Sequence, residues 1–330
     1  MILPPILLND SKIPHGILPG QADDPGWRIH KSFHADLLVL SPKGEIAIRH
    51  PLHRLIRFEA YGILFVIAGL FGALLASGSF GIPLAVLLIF VAASSAFGFV
   101  INDISDVALD ARSENPRNPL ADGSLSCRTA WIISAALLAV SLLCMALLPA
   151  SLLLPELLVL VVFVTYSFGI EVKNIAGLDL VYHALFPALY GWLGYILYHT
   201  PDLTGCVYVI LLGIFGAVGE LGNEIRDLDK DRHVRRNTVV LAGERAGFVL
   251  TLVLLVAALA MIAGYSVLQP GFLWLLPFVP FGAALVHPVV RAMREPAYKS
   301  RFVDTINNRA IVLAVAMLLV YGLLRLTGHT

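Results

Sequence analysis

The stretch GIPLAVLLIFVAASSAFGFVI occupies residues 81–101, and NDISDVALD follows it directly at residues 102–110. The first stretch contains no charged side chain, and it matches the roughly 20 residues that a helix needs to cross the hydrocarbon core of a membrane. The second stretch adds one Asn and three Asp at the end of this apolar segment. Together they predict a transmembrane helix that ends in an acidic motif.

The composition of the whole chain is that of a membrane protein. Of its 330 residues, 58% are hydrophobic and only 14% are charged, and the mean hydropathy is +0.82. Apolar stretches of spanning length recur along the sequence. They predict an all-α polytopic fold of about nine transmembrane helices, at residues 55–76, 81–102, 128–149, 151–170, 177–198, 204–223, 245–266, 270–290 and 306–328.

The segment before the first predicted span has a different character. Residues 1–20, MILPPILLNDSKIPHGILPG, have no basic leader, and Pro and Gly break their short apolar pieces, so they do not resemble a cleaved signal peptide. We expect residues 1–50 to form a cytosolic extension and residues 51–330 to form the membrane domain. The three Cys lie far apart, without the spacing of a metal site, and their odd number excludes a complete disulfide framework.

Basic residues predict the orientation of the chain in the membrane. With the N-terminus inside, the predicted cytoplasmic segments and the adjoining helix ends hold all but one of the 23 Lys and Arg, and Arg325 is the exception. This asymmetry is what the positive-inside rule expects. We therefore expect the N-terminus and the acidic motif after the second span to lie on the cytoplasmic side. A transporter or channel would share this asymmetry, so topology alone does not name the function.

The acidic residues of the first motif share one side of the predicted helix. If the second span continues as a helix to residue 110, Asp103, Asp106 and Asp110 follow an i, i+3, i+7 spacing. We call residues 102–110 the first motif. Its three carboxylates would then lie in a row at the membrane surface.

A second acidic motif, GNEIRDLDKD at residues 222–231, follows the sixth predicted span. Here Glu224, Asp227 and Asp231 recur along one helical face, and Asp229 points elsewhere. Because both motifs follow an even-numbered span, we expect them at the same membrane surface. A single acidic cluster is as readily explained by solvated loop ends, but two clusters with helical spacing on one side favour a shared site.

Two facing carboxylate clusters repel each other unless a positive group lies between them. Mg²⁺ prefers oxygen ligands and is typically held by one or two carboxylates together with water and substrate phosphate. The two motifs therefore predict Mg²⁺ as the cofactor and a phosphorylated substrate.

At this point the sequence resembles the UbiA-type intramembrane prenyltransferases over about residues 50–330. The resemblance rests on NDxxDxxxD after the second span, a second Asp-rich motif after the sixth, and the segment NPRNPLADGSLS at residues 115–126. NEIRDLDKDRHVRRNT at residues 223–238 is similar to the second motif of the branch that prenylates naphthoate. The family usually has Arg before the Pro of the first segment, whereas here Asn118 stands there and Arg117 is one place earlier.

The resemblance implies a fold and an activity. The fold would be nine helices around a central cavity with a cap of cytoplasmic loops, which makes residues 51–330 a UbiA-like domain. The activity would be the Mg²⁺-dependent transfer of an isoprenyl group from a prenyl diphosphate to a hydrophobic or aromatic acceptor in the lipid bilayer, most readily an aromatic quinone precursor. No nucleic acid is expected as a partner.

The resemblance also implies roles for particular residues. The metal ligands would be Asp103, Asp106, Asp110, Asp227 and Asp231, with Glu224 as a weaker candidate. The catalytic residues would be Asp103, Asp227 and Lys173. Substrate-binding residues would be Asn102, Arg117, Arg226, Lys173, Tyr166 and Tyr182, of which the two tyrosines lie in predicted spans where aromatic faces can stabilise a cation. His183 is an ionisable group in an apolar span, for which a functional role and a structural hydrogen bond are equally good readings.

Three functions of different classes remain open at this stage. The first is prenyl transfer to a separate acceptor, either an aromatic ring or a lipid or polyprenyl chain. The second is a terpene cyclase on the same scaffold, in which the substrate's own double bonds capture the cation. The third is a cation-coupled transporter, which is disfavoured because carriers usually place their ion sites near the bilayer midplane.

Overall fold

The computed structural model describes residues 50–58, 62–112 and 117–327, together with the backbone of two short strands. These strands, β1 (Val39–Leu40) and β2 (Ile46–Ala47), pair antiparallel, with Val39 opposite Ala47. The predicted extension over residues 1–50 otherwise lies outside the described residues. The division between an extension and a membrane domain stays a prediction.

The rest of the described chain is helical. The α-helices run in chain order as α1 (Pro51–Ile56), α2 (Ile63–Leu75), α3 (Ile82–Asp110), α4 (Cys127–Leu147), α5 (Leu153–Ser167), α6 (Leu178–Ile196), α7 (Leu203–Asp231), α8 (Thr238–Ala242), α9 (Glu244–Leu268), α10 (Phe278–Ala283), α11 (Val286–Arg294) and α12 (Lys299–Leu326). Short 3₁₀ helices lie at Ala150–Leu152, Val172–Asn174, Pro270–Leu275 and Pro296–Tyr298. The all-α expectation is confirmed for the membrane domain.

Among the described residues, six helical segments are long and apolar enough to cross a membrane, and α2 is a shorter apolar helix. The predicted count of nine spans is not confirmed. Large apolar side chains lie exposed along α4, α5, α9 and α12, which in a soluble protein would be an aggregation surface and here is the face that lipid covers. The protein is therefore an integral membrane protein with several spans.

The helix predicted over residues 81–102 continues without a break through the first motif, as α3. Pro83 lies in its first turn, where the missing backbone N–H needs no partner. Ser94 satisfies its hydroxyl inside the apolar bundle by donating to the carbonyl of Phe90 at 2.6 Å. The first motif is thus carried by a rigid element that also forms the core.

Two predicted spans need correction. The helix predicted over residues 55–76 is shorter, because α1 ends at Ile56 and α2 begins only at Ile63. The span over 270–290 is wrong as one continuous helix, since it forms a 3₁₀ helix followed by α10 and α11. Prolines explain this second break, because each removes a backbone donor and crowds the preceding turn of a helix; they are Pro270, Pro277, Pro280 and Pro288.

Helix α6 lies at the centre of the bundle, packed between α2 and α7 and also against α5. Glycines allow the close approach. A Cβ on Gly194 would collide with the carbonyl oxygen of Gly69, and one on Gly72 would collide with that of Gly191. Small residues at such crossings let two helix backbones approach closely in a membrane. This packing brings the backbones of α2 and α6 into close contact.

Candidate active site

The first motif lies on α3 as the helical spacing predicts. Asp103 is fully buried, Asp106 is nearly so, and Asp110 is half-buried. A carboxylate inside a protein needs a positive or hydrogen-bonding partner because burial removes its hydration. The partners of these three side chains come from distant parts of the chain.

Arg57 donates from its guanidinium to Oδ1 of Asp103. Arg57 ends α1 in the left-handed region with φ of 51°, and its backbone N–H bonds the carbonyl of His53 at 3.0 Å. The break between α1 and α2 therefore aims a basic side chain at the first motif. The other oxygen of Asp103, Oδ2, is buried and has no hydrogen-bond partner among the described residues.

Asn118 ties the segment after α3 to the first motif. Its Nδ2 donates to the carbonyl of Asp103 at 2.7 Å and to Oδ2 of Asp110 at 3.2 Å. Its Oδ1 accepts from the backbone N–H of Leu120 at 2.9 Å. Arg117 is exposed, and its carbonyl accepts from the guanidinium of Arg54 at 3.0 Å. The Asn that stands where Arg is usual thus has a structural role that Arg117 does not share.

Lys173 lies in the 3₁₀ helix between α5 and α6 and is buried. Its Nζ donates to Oδ1 of Asp106 at 2.6 Å and to the hydroxyl of Ser105 at 2.8 Å. The loop therefore brings its one basic residue onto the first motif. Asn102, at the start of this motif, accepts on Oδ1 from the hydroxyl of Ser167 at 3.4 Å.

The second motif forms the last turns of α7. Asp227 receives two parallel bonds from Arg226, at 3.0 and 2.7 Å, and its side chain is 43% exposed. The charge of Arg117 also acts on Asp227. Asp229 is 87% exposed, so the expectation that it points away from the other carboxylates is confirmed.

The two remaining carboxylates of the second motif support the chain that follows α7. Oε2 of Glu224 accepts from the backbone N–H of Val239 at 2.8 Å, near the start of α8. Oδ2 of Asp231 accepts from Asn237 at 3.3 Å. Asp179 at the start of α6 accepts from Thr238. These contacts hold the segment between α7 and α9 against the motif.

Arg235 joins the two motifs. Its guanidinium lies 3.0 Å from Oδ2 of Asp106 and 3.7 Å from Oδ1 of Asp231. Desolvation alone would lower its pKa, but the carboxylates of Asp106 and Asp231 outweigh it and raise the pKa of Arg235 above its ordinary value. Lys230 adds a second link, from its Nζ to Oδ1 of Asp110 at 2.9 Å. Both motifs therefore lie at the same end of the helical bundle, and we call it the motif end.

Within the residues that the structure describes, no three acidic, His or Cys side chains converge as a ready metal site. The carboxylates of the motif end instead mostly face basic groups. A cavity of about 350 Å³ opens beside them; its lining includes Asp106, Arg112, Lys173 and Arg235. The motif end can therefore take up an anion as well as cations.

The predicted aromatic residues lie deeper, between α5 and α6. The rings of Tyr166 and Tyr182 stack with their centroids 6.5 Å apart, and Thr165 donates to the Tyr182 hydroxyl at 3.2 Å. Tyr166 also bonds Glu220. Their roles toward a substrate stay predictions, as do those of the motif residues.

Sequence reasoning missed Arg57, Arg235 and Glu220. Arg57 is one of the many basic residues near membrane ends, and nothing local distinguishes it. Arg235 offers a usable signal, because it follows Asp231 by four residues, and Glu220 precedes Glu224 by the same step. Extending the i, i+4 pattern in both directions from the second motif would have found both.

Comparison with a family model decides the identity of this helical bundle. Residues 64–308 match the model described as the UbiA prenyltransferase family, which is well over half of the chain. The chain belongs to this family. The UbiA resemblance seen in the two acidic motifs is thereby confirmed, and the protein is a prenyltransferase. The family assignment therefore excludes the transporter alternative.

Solved structures of UbiA proteins share the fold. A UbiA homolog from Archaeoglobus fulgidus bound to GPP and Mg²⁺ has a TM-score of 0.64 at 18% identity, over 81% of this chain and 99% of that one. The apo structure of a UbiA homolog from Aeropyrum pernix K1 has a TM-score of 0.65 at 21% identity, over 80% and 99%.

A digeranylgeranylglyceryl phosphate synthase structure is also similar to this UbiA protein, with a TM-score of 0.62 at 17% identity over 82% of this chain and 96% of that one. No curated protein matches the sequence. Identities this low indicate a common fold, so the comparisons leave the acceptor of the prenyl group undetermined.

Proposed function

We propose that this protein transfers an isoprenyl group from a prenyl diphosphate to an acceptor within the membrane and releases diphosphate. The observation that carries the proposal is the contact of Lys173 and Arg235 with one carboxylate, Asp106, while Arg235 also reaches the second motif. Carboxylates that can hold a metal and basic groups that can hold phosphate are what departure of a diphosphate requires. The Archaeoglobus fulgidus structures described as bound to GPP or DMAPP and Mg²⁺ support the same assignment.

Mg²⁺ fits the donor atoms of the motif end. Oδ2 of Asp103 and Oε1 of Glu224 are buried without a hydrogen-bond partner among the described residues, and hard carboxylate oxygens are the ligands that Mg²⁺ prefers. In this proposal Mg²⁺ is held, directly or through water, by Asp103, Asp106, Asp110, Asp227 and Asp231, with Glu224 as the weaker ligand. Bound Mg²⁺ would supply positive charge against the leaving diphosphate.

The basic side chains bind the diphosphate and stabilise its growing negative charge as the allylic C–O bond breaks. Lys173 and Arg235 have this role at the first motif, and Arg117 and Arg226 have it beside Asp227. Lys173, Arg235 and Arg226 are already held by carboxylates, so little reorganisation of these side chains is needed when charge develops. Asn102 contributes to the same site from the residue before Asp103.

The catalytic residues of the proposal are Asp103, Asp227 and Lys173. The interior below them is apolar, which accommodates the isoprenoid tail and keeps water from the allylic cation. The ring faces of Tyr166 and Tyr182 stabilise that cation, since aromatic faces attract positive charge within about 6 Å. The chain thus separates a charged end, where the bond breaks, from an apolar interior, where the new bond forms.

The acceptor in this proposal is an aromatic quinone precursor. The similarity of NEIRDLDKDRHVRRNT to the naphthoate-prenylating branch supports it. Product analysis tests it directly: the full chain is supplied with geranyl, farnesyl or geranylgeranyl diphosphate and Mg²⁺, with and without hydroxylated benzoate, hydroxylated naphthoate or a lipid acceptor. We expect a prenylated aromatic product. A cyclic hydrocarbon formed without any acceptor would replace the proposal with a terpene cyclase, and a prenylated lipid would reassign the acceptor.

We further propose that the motif end faces the cytoplasm, as the distribution of Lys and Arg predicts. Two native cysteines allow a test, because Cys127 lies at the motif end and Cys206 at the opposite end, and both are exposed. An impermeant maleimide should label Cys127 only from inside and Cys206 only from outside, with the two Cys→Ser variants as controls. The reverse pattern would invert the topology.

A further inference from the structure

A second polar cluster lies inside the bundle, beside the second motif. Glu220 on α7 is its centre. Oε2 of Glu220 lies 3.0 Å from Nε2 of His183 on α6, and Oε1 accepts from the hydroxyl of Tyr166 on α5 at 3.4 Å. Asn223 donates to Oε2 at 3.4 Å. We call these four residues the Glu220 cluster, and ionisable groups at such a depth call for a function.

Within the Glu220 cluster, Glu220 and His183 have the geometry of an ion pair. Nδ1 of His183 lies 3.2 Å from the carbonyl oxygen of Asp179, while Nε2 faces the carboxylate of Glu220. A backbone carbonyl only accepts hydrogen bonds, and so does an ionised carboxylate. The two ring nitrogens of His183 thus both face oxygen acceptors, an arrangement that suits an imidazolium beside the Glu220 carboxylate. A carboxylate has about four acceptor positions, so Glu220 can accept from a further donor.

The cluster lies just below the motif end. Glu220 precedes Asp227 by seven residues, which is about 10 Å along a helix. Tyr166 is followed by Ser167, whose hydroxyl bonds Asn102 beside Asp103. The cluster therefore lies between the charged end, where the diphosphate binds, and the apolar interior.

Open space adjoins the polar groups of this cluster. The side chain of His183 keeps 22% of its surface exposed and that of Glu220 keeps 10%, although both lie inside the bundle. Oδ1 of Asn223 is buried with no hydrogen-bond partner among the described residues. Aromatic rings surround the polar groups: Phe186 lies 5.7 Å from Tyr166 and 5.3 Å from His183, centroid to centroid. Flat apolar walls with an acceptor at one end suit an aromatic ring that carries a hydroxyl group.

Neither half of a prenyl diphosphate suits the Glu220 carboxylate. A diphosphate is repelled by it, and an isoprenoid tail has no donor to offer. We propose that the Glu220 cluster binds the acceptor, which is a hydroxylated aromatic ring, with its O–H donating to Glu220. This inference rests on the proposed prenyl transfer and assigns the substrate class of its second half.

Glu220 also takes part in the transfer step. The bond between C1 of the prenyl group and the diphosphate oxygen breaks, and its electron pair leaves with the diphosphate. The π electrons of the hydroxylated ring form the new C–C bond to C1 while the hydroxyl proton passes to Glu220. The substituted ring carbon then releases its hydrogen as a proton, and the oxygen takes a proton back from Glu220. One proton is released overall, together with the diphosphate.

The test compares Glu220→Gln with Glu156→Gln in the full chain. Glu156 is a fully buried carboxyl on α5 whose two oxygens have no hydrogen-bond partner among the described residues, so it receives the same chemical change in another part of the bundle. Binding of the probe 1-naphthol is measured by its fluorescence and compared with naphthalene, which lacks the hydroxyl. We expect the wild type and Glu156→Gln to prefer 1-naphthol about tenfold and Glu220→Gln to lose most of this preference.

A second measurement distinguishes this inference from the proposed function. Release of diphosphate from geranyl diphosphate and Mg²⁺, with and without the acceptors of the product analysis, is measured in the wild type and should change less than about threefold in Glu156→Gln, which lies outside the catalytic and binding residues. The inference is overturned if the wild type shows no preference for 1-naphthol, or if Glu220→Gln retains that preference. A wild type that never releases diphosphate overturns the proposed function instead, and the 1-naphthol binding result can still be interpreted. If Glu220→Gln fails to fold, Glu220→Asp keeps the charge and should lower the preference severalfold; an unchanged preference there overturns the inference.

Discussion

The two acidic motifs have the same helical spacing but obtain their charge partners in different ways. In the first motif the partners come from three other parts of the chain. Arg57 bonds Asp103 across 46 positions, and Lys173 and Arg235 bond Asp106 across 67 and 129 positions. In the second motif they are close in sequence. Asp227 is bonded by the adjacent Arg226, and Asp231 lies beside Arg235 one turn later.

Because their charge partners differ in origin, we infer that the two motifs have different roles. The first is buried and connected to many elements, so it holds the motif end together as well as binding ligand. The second carries its own compensating charge, and one of its carboxylates, Glu224, bonds the backbone of α8. Apart from Asp229, Asp227 is the most exposed carboxylate of the two motifs, with 43% of its side chain exposed.

The largest effect tests what the two motifs share. Excess EDTA should reduce diphosphate release to background, because the leaving group loses its main positive charge, and added Mg²⁺ or Mn²⁺ should restore it. Release of diphosphate is measured by a coupled phosphate assay after a pyrophosphatase step that is supplied with its own metal. Full turnover in EDTA would remove the metal from both motifs at once.

The next effect separates the motifs. Asp103→Asn and Asp227→Asn should each lower kcat/KM by roughly 10²–10³-fold, because each removes charge that acts in the transition state. Only Asp103→Asn should also lower the stability of the fold, by on the order of 1–3 kcal/mol, since it leaves Arg57 without its buried charged partner.

Turnover and thermal unfolding of the same preparations provide the two readouts. Equal unfolding midpoints for Asp103→Asn and the wild type would contradict the integrating role of the first motif. A lower unfolding midpoint for Asp227→Asn than for the wild type would contradict the inference that the second motif carries its own compensating charge.

A smaller effect tests the link between the motifs. Arg235→Gln removes charged hydrogen bonds worth about 1.5–3 kcal/mol, so kcat/KM for the prenyl diphosphate should fall roughly 10- to 100-fold. Arg236→Gln is the matched control, because Arg236 is adjacent and exposed. Equal kcat/KM values for Arg235→Gln and Arg236→Gln would show that the link between the motifs through Arg235 has no part in turnover.

The smallest effect is expected at Asp229. Its side chain is 87% exposed and its nearest charge, on Arg232, is 3.9 Å away, so Asp229→Asn should keep activity within about twofold, as exposed surface substitutions usually do. It belongs to the same turn as Asp227 and serves as that variant's control. A loss as large as that of Asp227→Asn would require the ligands of the second motif to be redrawn.

Much of the fold can be predicted from the sequence because it depends on local chemistry. The apolar run at residues 81–101 and the i, i+3, i+7 spacing of Asp103, Asp106 and Asp110 were sufficient for a helix that carries the first motif to its end. Spacing likewise separated Asp229 from Asp227. The break in the segment at residues 270–290 could also have been predicted from the sequence, since its four prolines oppose a continuous helix. The prediction of one span there relied on apolar composition alone.

What the sequence by itself determined is therefore the helical bundle, its acidic faces and the family to which they belong, because helix formation and amphipathic spacing depend on residues a few positions apart. Only the tertiary structure decided that Arg57 bonds Asp103, that Asn118 holds the loop, and that His183 meets Glu220. These contacts join residues that are 15 to 46 positions apart. The close packing of α6 against α7 brings His183 and Glu220 together. No local pattern distinguishes Arg57 from the other basic residues at the membrane ends, since its role depends on where the break after α1 aims its side chain.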